Sequence, residues 1–184
     1  LPILRIELAK LEMRLSGAEA SLVPLKENLA EEARHPATVS AMSTTLSNEK
    51  DYRGLEDLFV RQAELAESAA AAAEATQFWV EAARITEVHL ENPKRASEHL
   101  ERAIAHGASA AALDTLARLR SEASDDAGAA DALVRLLSLV RGNERVGPAI
   151  RLSEARVRMG EQDLARRALE EELEHDPELE PVRE

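Results

Sequence analysis

The stretch Gly160-Glu161-Gln162-Asp163-Leu164-Ala165-Arg166-Arg167-Ala168-Leu169, continuing to Asp176-Pro177, decides how the chain is read. A glycine separates it from the apolar run before. A small residue, Ala165, is followed four positions later by a large apolar one, Leu169, and a proline ends the segment. Residues four apart lie one above the other on an α-helix. The small residue lets a second helix approach closely, and the large one fills the space beyond. These are the mechanics of a helix hairpin.

The same spacing extends outward in both directions. Leu4, Leu8, Leu11 and Leu15 fall at i, i+4, i+7 and i+11, and Leu22, Leu25 and Leu29 repeat the pattern. Leu55, Phe59 and Ala63 form another stripe, as do Ala96, Leu100 and Ala103, then Leu133, Leu137 and Val140. No stretch shows sustained strand-like alternation. Gly17, Gly107, Gly142 and Gly160 each follow an apolar run, where a left-handed residue closes a helix. Pro36, Pro93, Pro148 and Pro177 flank such runs, and Asn92-Pro93 reads as a cap followed by the first helical residue. Ser21 as a cap would place Pro24 in a first turn, where its missing N–H is harmless. The pattern predicts ten helices over 3–16, 21–34, 36–47, 51–67, 69–91, 93–106, 109–122, 127–141, 147–159 and 161–175. The alanine run 69–73 is expected to be helical, since alanine has the highest helix propensity.

Composition agrees with an all-α chain. Only four aromatic residues occur in 184, Tyr52, Phe59, Phe78 and Trp79, too few for a sandwich or barrel that draws on them. Lys and Arg number 23 against 35 Asp and Glu, a formal net charge of −12, which argues against an extended nucleic-acid surface. No apolar run approaches the ~18 residues that would span a membrane. The absence of Cys excludes disulfides, thiolate metal sites and cysteine catalysis. The sequence starts at Leu1 without Met, which reads as a segment of a longer protein. Arginine outnumbers lysine 19 to 4 beside abundant alanine, a composition common in GC-rich bacterial genomes.

Repetition is the next test. Ala96, Ala130 and Ala165 are separated by 34 and 35 positions, and Leu100, Val134 and Leu169 keep those intervals. In these residues the chain resembles the tetratricopeptide repeat. Gly160 matches the turn, Ala165 the small residue and Leu169 the large residue of a second helix, with Pro177 as the closing proline. Leu152 and Ser153 take the large-small pair of the preceding helix. Trp79, Ala82 and Ala83 resemble a first helix, with Ala96, Leu100 and Ala103 as its second, given one extra residue in the turn before Pro93. Leu116 and Ala117, then Ala130 after a turn again about one residue longer, continue the series. Val39, Met42, Ser43 and Leu46, then Leu55 and Phe59, resemble a degenerate copy, and 3–34 fits as one more hairpin. Glu172 stands where a small residue is usual, Ala108 where proline is usual, and the 41 positions from Leu55 to Ala96 depart from the family period. Another α-hairpin array and a closed helical bundle are the alternatives.

The resemblance implies an α-solenoid of about five antiparallel hairpins, winding as a right-handed superhelix. The hairpins would span 3–34, 36–67, 69–106, 109–141 and 147–175 of one domain, with an acidic tail at 176–184. It also implies a concave groove lined by first helices that binds an extended or helical peptide. Carried onto this sequence, that groove presents Ser40, Thr44 and Ser47; Gln77, Val80 and Arg84; Asp114 and Arg118; and Ile150, Glu154 and Val157, with Arg151 and Arg158 on its edge. The Lys/Asn set with which some members clamp a C-terminal carboxylate is absent.

The residues themselves supply little chemistry. No glycine-rich phosphate loop and no His-Glu-x-x-His helix occurs. Glu-x-x-His occurs twice, at Glu32/His35 and Glu172/His175, and di-iron bundles use such motifs. Both copies stand shortly before a proline, which points to helix C-termini, where a His is favoured by the dipole. Trp79, Phe59 and Phe78 are read as core. Residues 141–160 carry Arg141, Arg145, Arg151, Arg156 and Arg158 against Glu144 and Glu154. This basic patch suits either an acidic partner or pairing with the acidic helix at 161–175, and the second reading is favoured. The sequence therefore points to a non-enzymatic, cytoplasmic protein-interaction segment without cofactor or metal. Its expected partner is another protein, a peptide or helix with acidic character among the options. Neither nucleic acid nor membrane insertion is expected, and self-association through end repeats is a further option. The alternative is a structural spacer or self-assembly segment, and an all-helical enzyme is the remote third.

Overall fold

The computed structural model describes residues 1–107 and 109–175; the expected acidic tail 176–184, including Pro177, and Ala108 lie outside the described residues. Among the described residues there are ten α-helices, one 3₁₀ turn and no strand. The helices are α1 (Pro2–Leu15), α2 (Ala18–Glu31), α3 (Pro36–Asn48), α4 (Tyr52–Ser68), α5 (Ala72–Val88), α6 (Pro93–His106), α7 (Ala110–Glu122), α8 (Asp126–Leu139), α9 (Val146–Arg158) and α10 (Gln162–His175). They pair as five hairpins. The chain divides into two units, Leu1–His106 with α1–α6, and the chain from Gly107 onward with α7–α10. Within each unit the most extensive helix contacts are between chain neighbours, with α1 also reaching α3, while side chains of α6 reach α4 and those of α9 reach α7.

One turn geometry recurs. The three-residue turns after α3, α4, α7 and α9 place their middle residue at positive φ: Lys50 at 58°, Ala70 at 53°, Ser124 at 60° and Gly160 at 79°. The next residue donates its N–H to the carbonyl five positions back, Asp51 to Leu46 and Ala71 to Ala66 at 2.9 Å, Asp125 to Arg120 and Glu161 to Arg156 at 2.8 Å. This Schellman closure satisfies carbonyls that the helix end leaves open. Asp51 and Asp125 then cap the following helix, each accepting the N–H three residues on at 3.0 Å. Gly54 and Gly128 supply those N–H groups, and a Cβ on either would run into the capping carboxylate. The alanine run is thus not continuous helix. Its high propensity yields at Ala70, because antiparallel docking of α5 on α4 requires the chain to reverse there. The turn before Pro93 is one residue longer, 89–92, as the spacing predicts, with Glu91 at φ 50° and Asn92 capping Arg95.

Aligned on their caps, the second helices share one register. Four positions past the cap stand Ser21, Leu55, Ala96, Ala129 and Ala165, all buried; eight past it stand Leu25, Phe59, Leu100, Leu133 and Leu169. The assignment of Ala130 and Val134 is therefore off by one. Ala129 and Leu133 are buried, and Val134 is 46% exposed, because the turn before α8 has the ordinary three residues. The first hairpin also acquires its small-large pair, Ser21 and Leu25. Gly17, not Ser21, is the cap of α2, so Pro24 lies inside the helix and is buried. His35 is likewise not at a helix C-terminus. It is the N-cap of α3, its Nδ1 accepting the Thr38 N–H at 3.3 Å, because α2 ends at Glu31.

In the first unit Ala63, Ala66, Ala75, Trp79 and Ala103 form one core cluster, and Leu46, Leu55, Leu58 and Ile85 another. Trp79 is 1% exposed, as expected of a packing residue. Phe59 and Phe78 are half-buried, ring to ring at 6.2 Å. The first helix departs from its apolar spacing. Ala9 is its one buried residue, flanked on that face by half-buried Pro2, Arg5, Ile6, Glu12 and Met13. The leucine stripe Leu4, Leu8, Leu11 and Leu15 faces outward.

Candidate partner-binding surface

In the first unit α3 and α5 flank α4, and two adjoining concavities open between them. One, of about 380 Å³, is lined by Val39, Ser40, Phe59, Gln62, Gln77 and Phe78, with the Arg34–Glu74 ion pair, 2.5 Å, among its lining residues. The other, of about 280 Å³, is lined by Thr44, Ser47, Asn48, Leu55 and Arg84. Ser43 and Phe59 line both. Five of the six expected first-helix residues of this unit thus come together. Val80 is half-buried, packed towards the Trp79 core, and lines neither concavity. Arg84 is held by Glu81 one turn earlier, Nη2 to Oε2 at 3.0 Å.

In the second unit a cleft of about 160 Å³ lies between α7 and α9 over Ala129 and Leu133 of α8. It gathers Arg118, Arg151, Glu154 and Arg158. Three of these are engaged within the unit: Arg118 with Glu122 at 3.0 Å, Arg151 with Asp114, and Arg158 with Asp126 at 2.7 Å and Ser121 at 3.2 Å. Ile150 and Val157 are exposed on α9 away from this cleft. The basic patch divides its allegiance. Arg145 pairs in bidentate fashion with Glu172 of the acidic helix α10, at 2.7 and 2.5 Å, while Arg151 and Arg158 turn to α7 and α8. That contact also explains Glu172 at a position usually small, since its carboxylate is the partner Arg145 requires.

Sequence reasoning missed two features. One buried and one half-buried carboxylate organise the first unit: Glu56 Oε1 receives Thr86 Oγ1 at 2.9 Å, His99 Nε2 at 2.8 Å and Arg95 Nε at 2.7 Å. Glu67 accepts from Trp79 Nε1 at 2.6 Å, His106 Nε2 at 2.8 Å and Arg102 at 2.7 Å. Burial alone pushes the Glu67 carboxyl up, but those hydrogen bonds and the Arg102 charge hold it below the ordinary carboxylate value. The only advance signal was the spacing of His99, Arg102 and His106 along α6. A third concavity, about 440 Å³, opens between α2 and α4 around Leu22, Leu29, Met42 and Leu58, rimmed by Lys26, Asp57 and Arg61. Among the described residues no group of three or more acidic or histidine side chains could hold a metal. Nor is any helix among them long and apolar enough to cross a membrane.

Comparisons with known proteins bear on the fold. No protein-family profile and no curated protein matches the sequence. Solved structures do. MamA superposes at TM-score 0.57 with 12% identity, covering 100% of this chain and 96% of its own. A Podosopora anserina kinesin light chain with TPR-like repeats reaches 0.52 with 17% identity, over 90% of each chain. The TPR protein YrrB reaches 0.52 with 14% identity, over 95% of this chain and 86% of its own. Five hairpins, a shared second-helix register and these superpositions converge on one conclusion: the chain has the tetratricopeptide-like helical-repeat fold.

Proposed function

We propose that this protein is a non-enzymatic, cytoplasmic interaction scaffold that binds a peptide or helix of another protein on the faces of its first helices. The observation that carries the reading is the convergence of Ser40, Thr44, Ser47, Gln77 and Arg84 around Phe59 in the first unit. Polar groups that fix direction surround an aromatic floor that supplies apolar contact, the combination by which grooves grip peptides. The helices that carry them are held by core packing on the far side, so a partner loses freedom on binding while the receptor loses little. Arg118, Arg151 and Arg158 form a second candidate face suited to a carboxylate-bearing partner, which would have to compete with Asp114, Glu122 and Asp126. A similar fold binds peptides elsewhere: YrrB is described as a TPR protein with an unusual peptide-binding site. No catalytic residue and no cofactor enters the proposal.

Peptide-display selection against the 184-residue chain, followed by titration of the selected peptide, tests it. Phe59→Ala with Arg84→Glu should weaken binding by at least about tenfold, and Arg118→Glu identifies use of the second face. Undiminished affinity in both variants would remove the site from the first-helix faces. The exposed apolar side of α1 favours a second, compatible reading, self-assembly of the chain.

A further inference from the structure

Leu1, the cap of α1, and Leu4, Leu8, Leu11 and Leu15 of the helix are exposed to 80%, 72%, 45%, 43% and 73%. Their separations are three, four, three and four, the alternation that keeps a seam of side chains facing one partner helix along its length. A surface that binds an extended peptide has no use for that periodicity; another helix does. The flanking charges select which helix. Glu7 and Arg14 lie on one edge of the seam and are exposed; Arg5 and Glu12 lie on the other, half-buried, with Arg5 tied to Glu31 at 2.7 Å and to Asn28 at 3.3 Å. A parallel copy would set Glu7 against Glu12, two like charges. An antiparallel copy sets Glu7 against Arg14 and Arg14 against Glu7, opposite charges related by a two-fold axis. That is the self-complementarity an isologous dimer requires. Glu7 already meets Lys10 at 2.7 Å, an exposed pair easily exchanged.

We propose that α1 is a homodimerisation element in which two copies of this chain pair antiparallel, Leu4 against Leu15 and Leu8 against Leu11 of the second copy. The proposal rests on the self-assembly reading and is independent of the first-helix faces, whose peptide binding is measured separately.

Light scattering coupled to size exclusion, run over roughly 1 µM to 1 mM, the span of weak association, reads the mass. The expected result is a rise from monomer to dimer, abolished by Leu8→Glu with an unchanged circular-dichroism melt. Glu7→Arg and Arg14→Glu should each weaken dimerisation several-fold, and the doubly exchanged chain should recover it. Orientation is read by disulfide trapping, since the chain has no cysteine of its own. Leu4→Cys and Leu15→Cys proteins should crosslink when mixed and not alone, because like positions would stand about 16 Å apart along the helix. A monomer throughout overturns the proposal, as does a dimer indifferent to Leu8→Glu or crosslinking of Leu4→Cys with itself. Binding of the leucine seam to some other protein's helix by a chain that stays monomeric overturns it too.

Discussion

Glu67 shows how one side chain ties three helices together in a chain poor in aromatic residues. Lying on α4, it receives the indole N–H of Trp79 on α5 and the His106 and Arg102 side chains of α6, and Arg102 also lies 4.2 Å over the indole ring. Its carboxyl is held below the ordinary value of about 4.5. As pH falls through that range the unfolded chain takes up a proton that the folded chain declines, so stability is lost towards acid. Glu67→Gln should flatten this loss, seen as a shallower fall of the urea midpoint between about pH 5 and pH 3. Glu56 makes a different case, because its donors Thr86 and His99 are themselves buried. Glu56→Ala should cost about 1–3 kcal/mol in urea unfolding, since buried His99 then loses its partner while Thr86 keeps only the Ala82 carbonyl. Beyond the spacing of the donors along α6, neither carboxylate was legible in the sequence. A glutamate on a helix reads as solvated face until the packing of two other helices covers it.

At the scale of the element, the recurring turn accounts for both what could be read and what was misread. Glycine marks the left-handed position at Gly160, and there the boundary was plain. At Lys50, Ala70 and Ser124 an ordinary residue takes the same conformation at a cost of roughly 1–2 kcal/mol, which no sequence signal announces. Ala70→Gly should therefore stabilise the protein by about 0.5–1 kcal/mol, raising the thermal midpoint, whereas glycine elsewhere in a helix costs about as much. The register of α8 offers a second measurement. Ala129 is 1% exposed beside the close approach of neighbouring helices, while Ala130 is half-buried. Ala129→Leu should cost about 1–3 kcal/mol through overpacking, and Ala130→Leu much less. Equal effects would restore the 34 and 35 spacing read from Ala96, Ala130 and Ala165.

For the whole molecule, what matters is that helices pack on their neighbours in the chain. Most packing contacts thus close short loops, and the entropy lost before they form is small. The main refolding phase should fall in the millisecond range or faster by stopped-flow fluorescence of Trp79. A slower main phase, on the scale of seconds, would indicate packing between distant elements. The same locality explains why each hairpin tolerates its own variant of the shared register, with Leu55 in place of one small residue and Gln62 or Glu172 in place of another, the position that Ala103 holds.

By itself the sequence determined the helical class, the number of hairpins, the longer turn before Pro93 and the side of α3 and α5 that faces outward. Those depend on spacing along one helix, a local property that a 3.6-residue period carries in the order of residues. Only the tertiary structure decided that Ala129 and not Ala130 faces inward, that Ala70 breaks a run of alanines, and that the leucines of α1 remain uncovered. The reason is common to the three. An apolar stripe states that a face is to be buried, but which partner buries it depends on where the neighbouring helix lies.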